Sequence, residues 1–264
     1  MKVAVTGASG QVGTLLGERL DGRAEVVPLG REDDWRAGMA GADALVHLAG
    51  TLQPRRGESY ESANVETAAR AAAAVVGTEV DRIVFLSYVG ARPDSPNAYL
   101  RTKAEAERVL IETGVPTTVF RCLHICGPPE RPGPTAAAFL ATGGKPVSVV
   151  GSGRQRIAPL FVGDAVEAVL AATLCAEPAA GVFELGGPDE MSVDELVRTL
   201  NGADVRIRHI PAVLARLVGR VSSDLTPVLI DLLLRDSVAA APPEAIAARF
   251  GFVPTRIGDV WARP

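Results

Sequence analysis

The chain has 264 residues, 47% of them hydrophobic and 22% charged, with a formal net charge of −4. That balance suits a globular protein with a sizeable core. Both signs of charge are scattered, without a basic stripe, which speaks against nucleic acid as a partner. The first strand starts at residue 2 and no apolar run approaches membrane-spanning length, so neither a signal peptide nor a membrane span is expected, and a cytoplasmic location follows.

Apolar runs alternate with helix-patterned stretches from residue 2 to about 125. This predicts a parallel sheet with helices on both faces. Strands are expected near 2–6, 25–29, 44–48, 82–87 and 117–122, and helices near 10–20, 59–77 and 97–113. The stretch Arg31–Asp43 has room for one short helix, so a third strand there is reduced or missing and the second strand lies at or near an edge. Beyond Gly127 the pattern breaks, and Pro128-Pro-Glu-Arg-Pro-Gly-Pro134 is a loop by composition. A helix near 135–142, a hairpin around Gly151-Ser-Gly153 and a helix capped by Asp164 are expected next. The strand Val182–Leu185 should return to the main sheet, and Ser192-Val-Asp-Glu195 reads as a capping box. The expected organisation is a doubly wound Rossmann-type core over 1–126. Residues 127–264 are mostly a small substrate lobe, with strands returning to the core near 159–187.

The head of the chain is the most informative segment. The strand Lys2-Val-Ala-Val-Thr6 runs into Gly7-Ala-Ser9-Gly10-Gln11-Val12-Gly13 and then a helix. Gly7 permits the sharp turn, Gly10 a close approach to a pyrophosphate, and Gly13 tight packing of helix on strand. The helix N-terminus offers N–H groups and the positive dipole end to phosphates. Ser9, Gln11 and Val12 complete this dinucleotide-binding turn. A second signal is Tyr99-Leu-Arg-Thr-Lys103, whose i, i+4 spacing sets phenol and ammonium on one helix face. A cation there favours phenolate and suits Tyr99 to general acid/base work.

Together these residues resemble the short-chain dehydrogenase/reductase superfamily, in its extended and atypical branch. Ala44-Leu-Val-His-Leu-Ala-Gly50, Asn64-Val-Glu-Thr67, Arg82-Ile-Val-Phe-Leu-Ser87 and Val119-Phe-Arg-Cys-Leu-His-Ile-Cys-Gly-Pro128 continue the likeness. Pro159-Leu-Phe-Val-Gly-Asp164 and Phe183-Glu-Leu-Gly-Gly-Pro188 resemble its later markers. Leu225-Thr-Pro, Asp231-Leu-Leu-Leu-Arg-Asp236 and Phe250-Gly-Phe-Val-Pro-Thr255 are similar to the group around the NADPH-binding accessory subunit of respiratory complex I.

The resemblance implies a nicotinamide cofactor and a small-molecule substrate. Tyr99 would pass a proton, Lys103 would bind the ribose and lower the Tyr99 pKa, and Ser87 would orient the substrate oxygen or the nicotinamide. Leu48, Ala49 and Gly50 would line the adenosine side. At the end of the second strand Gly30 stands where NAD-specific relatives carry an acid, and Arg31 follows, which favours NADP(H). Glu32 or Asp33 reaching back to the ribose would make NAD(H) possible. The reaction implied is hydride transfer at a carbonyl or alcohol carbon. A redox-silent NADPH-binding protein and a sugar-nucleotide epimerase are the alternatives. Sugar-nucleotide relatives carry their working serine where Val89 stands.

Several residues keep two readings. Asn64 is a helix-start cap or part of a proton relay. His47 packs beside the cofactor. His124 is a buried, hydrogen-bonded side chain or a substrate contact. Arg154 and Arg156 are solvated or grip a phosphate. Cys122, Cys126 and Cys175 lack metal-ligand spacing with histidine, so no metal site is expected and the thiols read as core. The alanine-rich face Ala68–Ala74 suits either close helix packing in a homodimer or an ordinary buried helix in a monomer.

Overall fold

The computed structural model describes residues 1–55, 57–219 and 225–262. The first half contains β1 (Lys2–Thr6), α1 (Gln11–Leu20), β2 (Glu25–Leu29), the single turn α2 (Trp35–Gly38) and β3 (Ala44–His47). A π-helical stretch, Glu61–Glu66, leads into α3 (Thr67–Val75), followed by β4 (Arg82–Tyr88), α4 (Ala98–Ile111) and β5 (Thr117–Cys122). The second half runs β6 (Ile125–Cys126), α5 (Gly133–Ala138), β7 (Val147–Val150), β8 (Arg156–Ile157), β9 (Leu160–Phe161), α6 (Val162–Leu174) and β10 (Gly181–Leu185). It ends with β11 (Met191–Ser192), α7 (Val193–Asn201), β12 (Ile207–Ile210), α8 (Ala212–Val218), α9 (Pro227–Leu233), α10 (Pro243–Phe250) and α11 (Ile257–Val260).

The main sheet has six parallel strands in the order β10-β5-β4-β3-β1-β2. Side chains alternate between two buried faces, as a doubly wound sheet requires. Val3, Val5, Val84 and Phe120 meet α1 and α6 on one side. Ala4, Leu45, Ile83, Phe85 and Val119 meet α2, α3 and α4 on the other. Ala68, Ala71 and Ala74 of α3 are part of that second core, so this stripe of alanines packs on the protein's own sheet.

The third strand is missing, as the short Arg31–Asp43 stretch predicts. Only α2 fits there, capped by Asp34, which accepts from Arg36 N and Ala37 N at 3.0 and 3.1 Å. β2 is therefore an edge strand. That position also tolerates Pro28, which has no N–H to give a further neighbour.

The C-terminal half departs from expectation at two points. No hairpin forms around Gly151–Gly153. β7 pairs in parallel with β12, and β8 antiparallel with β11. Each of these short strands finds its partner far along the chain rather than across a turn. Asp164 does not cap α6, which begins at Val162. Its carboxylate instead accepts from Thr255 N and Thr255 Oγ1, both at 2.7 Å, and ties the C-terminal segment to α6. The capping box does form. Ser192 N donates to Glu195 Oε2 at 2.6 Å, and Glu195 N donates to Ser192 Oγ at 3.2 Å. Among the described residues no helix is long and apolar enough to cross a membrane.

Candidate functional site

The glycine turn packs as a phosphate cradle needs. Gly7 has φ +69, and a Cβ there would lie 2.7 Å from the Leu48 carbonyl carbon. A Cβ on Gly13 would lie 2.3 Å from Gly7 O. Ser9 and Gly10 are exposed at the mouth of the turn, and Val12 turns into the core. Leu48, Ala49 and Gly50 follow β3 across the turn, with Ala49 N donating to Thr6 Oγ1 at 3.2 Å. The Gln11 side-chain nitrogen is buried without a hydrogen-bond partner. It lies beside Gly133 at the start of α5, where a Cβ would come within 2.1 Å of it. An unpaired buried donor next to a helix N-terminus suits a bound anion. These features fit a dinucleotide.

The end of β2 carries both charges that sequence reasoning set against each other. Arg31 pairs with Glu58 and leaves 61% of its side chain in solvent. Asp33 Oδ2 accepts from Gly30 N at 2.6 Å, and a Cβ on Gly30 would lie only 3.0 Å from that oxygen. The Asp33 carboxylate thus fills the space a side chain at position 30 would enter. Trp35 Nε1 donates to Gly30 O at 2.6 Å. Arg70 stacks over the Trp35 ring, 4.2 Å from its centroid, and donates to the Arg31 and Asp33 carbonyls.

The Tyr99–Lys103 face points inward. Asn97 caps α4, accepting from Leu100 N at 3.3 Å, and its amide donates to Val228 O of α9 at 2.9 Å. This places Tyr99 in the first turn, against Val228 and Leu232 of α9. Lys103 Nζ donates to Leu86 O at 2.6 Å and sits 4.1 Å from the Phe85 ring centroid. A Cβ on Gly50 would come within 3.8 Å of the same ammonium, which therefore reaches the β3 end. Burial pulls the Lys103 pKa down to about 8, with Glu107 opposing. Tyr99 corrects an expectation. Its pKa is raised, chiefly by burial and then by Tyr88, not lowered by Lys103. It is a neutral phenol whose hydroxyl has no hydrogen-bond partner among the described residues.

Ser87 is the larger correction. Its hydroxyl donates to Glu107, which also holds Arg121 through contacts of 2.9 and 2.6 Å. Ser87 thus belongs to a buried polar network under α4, and its proton is already committed. Asn64 is a pin: Oδ1 accepts from Thr51 N at 3.1 Å, and Nδ2 donates to Tyr60 O at 3.1 Å. His47 bonds Thr6 Oγ1 through Nδ1 at 2.8 Å and stacks on Phe85. Burial drops its pKa to about 3, so it is a neutral core residue. Arg156 faces Glu190 at 2.9 Å with its guanidinium half in solvent, a partner other than a phosphate. The Cys122 and Cys126 thiols are pushed up to about 12 by burial, so both are inert. No metal-binding cluster occurs among the described residues.

The profile of the NAD dependent epimerase/dehydratase family matches residues 3–186. The chain belongs to that family. A subunit of plant complex I, NADH dehydrogenase [ubiquinone] 1 alpha subcomplex subunit 9 of Arabidopsis thaliana, is 30% identical over 173 residues, covering 64% of this chain and 42% of that protein. The chain spans less than half the length of the curated relatives it matches. Human epimerase family protein SDR39U1, solved with NADPH, superposes with a TM-score of 0.77 at 21% identity, covering 99% of this chain and 98% of that one. UDP-glucuronic acid 4-epimerase of Bacillus cereus, solved with NAD, gives 0.76 at 16% identity, covering 99% and 96%. These likenesses show the fold.

Within this family member, sequence reasoning overlooked Tyr60, Tyr88, Glu107 and Ser237. Tyr88 had a signal: it directly follows Ser87 at the end of the strand already marked. Glu107 had another, standing at i+4 from Lys103 on the helix already marked.

Proposed function

We propose that the protein is an NADP(H)-dependent oxidoreductase acting on a carbonyl or alcohol carbon. The observation that carries this reading is the buried Tyr99–Lys103 pair, whose ammonium reaches Gly50 while the phenol hydroxyl is unpartnered. The glycine turn and Gln11 would hold the pyrophosphate, Lys103 the ribose, and Arg31 a 2′-phosphate. A nicotinamide bound there supplies or accepts hydride. Tyr99 gives or takes the proton at the substrate oxygen, and residues 127–264 mostly shape the substrate side. Because its pKa is raised, Tyr99 is protonated at neutral pH and suited to acting as the acid in carbonyl reduction.

Two observations favour other readings. The Ser87 hydroxyl is committed to Glu107 and Val89 offers none, which suits a redox-silent NADPH-binding protein. The Asp33 carboxylate beside Gly30 suits NAD(H), because an acid there accepts from ribose hydroxyls. A sugar-nucleotide epimerase, the activity named for several fold neighbours, is opposed by Val89. The test is NADPH and NADH titration followed by stopped-flow oxidation against a panel of carbonyls. Tight NADPH binding with turnover supports the proposal. Tight binding with no carbonyl accepted supports the redox-silent reading.

A further inference from the structure

The chain has three tyrosines and brings all of them to one point. Tyr99 has Tyr60 and Tyr88 edge-on to its ring, with centroids 6.2 and 5.5 Å away. Leu52, Val228 and Leu232 pack in the same cluster. Tyr60 donates its hydroxyl to Leu52 O at 3.1 Å. Tyr88 is placed differently. It ends β4 one residue after Ser87, so the two side chains leave opposite faces of the strand. Its hydroxyl lies 3.1 Å from His124 Nδ1, with the Ser237 side chain nearby. Ser237 is itself fixed, with its N–H donating to Arg156 O at 2.7 Å and its carbonyl accepting from Ala158 N at 3.0 Å. Burial takes the His124 pKa down to about 4, so the ring is neutral at pH 7 and carries one proton. A phenol oxygen that accepts from a protonated Nδ1 keeps its own O–H for another acceptor.

Resting on the oxidoreductase reading above, we propose that this cluster binds an uncharged, apolar carbonyl compound, and that Tyr88, positioned by His124, donates the second hydrogen bond to its oxygen beside Tyr99. The arrangement supplies what Ser87 and Val89 do not. A charged group entering among these rings and aliphatic side chains would lose its hydration, whereas an alkyl or aryl chain gains from each area of surface it buries. In the reduction, the carbonyl carbon accepts hydride from the reduced nicotinamide, which becomes oxidised. The oxygen takes the Tyr99 proton, an alcohol forms, and Tyr99 regains a proton from solvent. Tyr88 keeps its proton throughout and lends only the hydrogen bond.

Two measurements on the full chain test this. Long-range ¹H–¹⁵N spectra report which ring nitrogen of His124 is protonated. Nδ1–H is expected, and Nε2–H would overturn the assignment, because Tyr88 would then be giving its proton to the ring. The second is calorimetry of 2-decanone binding to protein saturated with NADP⁺, a complex that cannot turn over. The ketone is expected to bind and UDP-glucose not to. Tyr88→Phe should weaken the ketone about three- to tenfold, the worth of one hydrogen bond, and leave NADP⁺ affinity unchanged. His124→Asn, which keeps a donor near Nδ1, should retain more ketone affinity than His124→Leu. Preference for UDP-glucose, or equal ketone affinity in Tyr88→Phe and wild type, would overturn the proposal. If NADP⁺ itself does not bind, the oxidoreductase reading fails, while the His124 tautomer still decides the role of Tyr88.

Discussion

At the β2 end of the site Arg31 leaves 61% of its side chain in water beside Glu58; at the Tyr99 end Lys103 is 5% exposed and Tyr99 9%. The same kinds of side chain therefore work under different electrostatics. In water, a charge pair is screened and worth little. In the dry end, burial moves Lys103 to about 8 against the pull of Glu107 and Cys122, and His124 to about 4. On the proposed reading, the wet end would bias which nucleotide binds, and the dry end would set protonation states and so govern chemistry. Substitutions at the two ends should differ accordingly in what they change and by how much.

The scaffold both ends share comes first. Gly13→Ala puts a methyl group 2.3 Å from Gly7 O, against backbone that has little room to yield. It should cost about 3 kcal/mol, the upper part of the range for overpacking, and abolish nucleotide binding. Urea melts and fluorescence titration of NADPH check both. Asp164→Ala removes the two contacts from Thr255 that tie the C-terminal segment to α6. Stability should fall by about 2 kcal/mol, with proteolysis beginning after α10 rather than in the core.

At the dry end, the free protein should lose the Lys103 proton as pH rises through about 8. NADPH affinity should then be flat at lower pH and fall by up to about tenfold per unit above that value, with Lys103→Met showing no such break. Folding carries the opposite sign. The depressed Lys103 penalises the charged folded state fully below about 8, and that penalty is relieved as pH rises toward the ordinary lysine value of 10.5. Glu107 and Cys122 oppose the shift, so Glu107→Gln should move the break to lower pH. The wet end gives the smallest effect. Arg31→Ala should weaken NADPH roughly fivefold and NADH hardly at all. Glu58→Gln, which frees Arg31 from its partner, should strengthen NADPH, and Asp33→Asn should weaken NADH selectively. Competitive titrations of both nucleotides read all three.

What could be read from the sequence follows the same local logic. The strands at 2–6, 25–29, 44–48, 82–87 and 117–122 were legible because each is a short apolar run next to its own turn. The missing strand was legible because Arg31–Asp43 is too short to hold it. The C-terminal half was less so. β8, β9 and β11 have two residues each and carry no period to read, and their partners are set by tertiary packing. Asp164 precedes a helical pattern as a cap would, but a partner at Thr255 leaves no local trace. In the site, Tyr99 and Lys103 stand out by helical spacing. The Ser87–Glu107–Arg121 network, which withdraws the serine, joins two strands to a helix and no spacing announces it.

On the proposed reading, Tyr99 delivers a proton while hydride leaves NADPH. Single-turnover stopped flow of NADPH-loaded protein mixed with a medium-chain aldehyde measures it directly, in wild type and in Tyr99→Phe. Loss of NADPH absorbance is expected in wild type, with a rate roughly 10²–10⁴-fold lower in Tyr99→Phe and NADPH affinity unchanged. Equal rates in the two proteins, or no NADPH oxidation by wild type with any carbonyl, would contradict it.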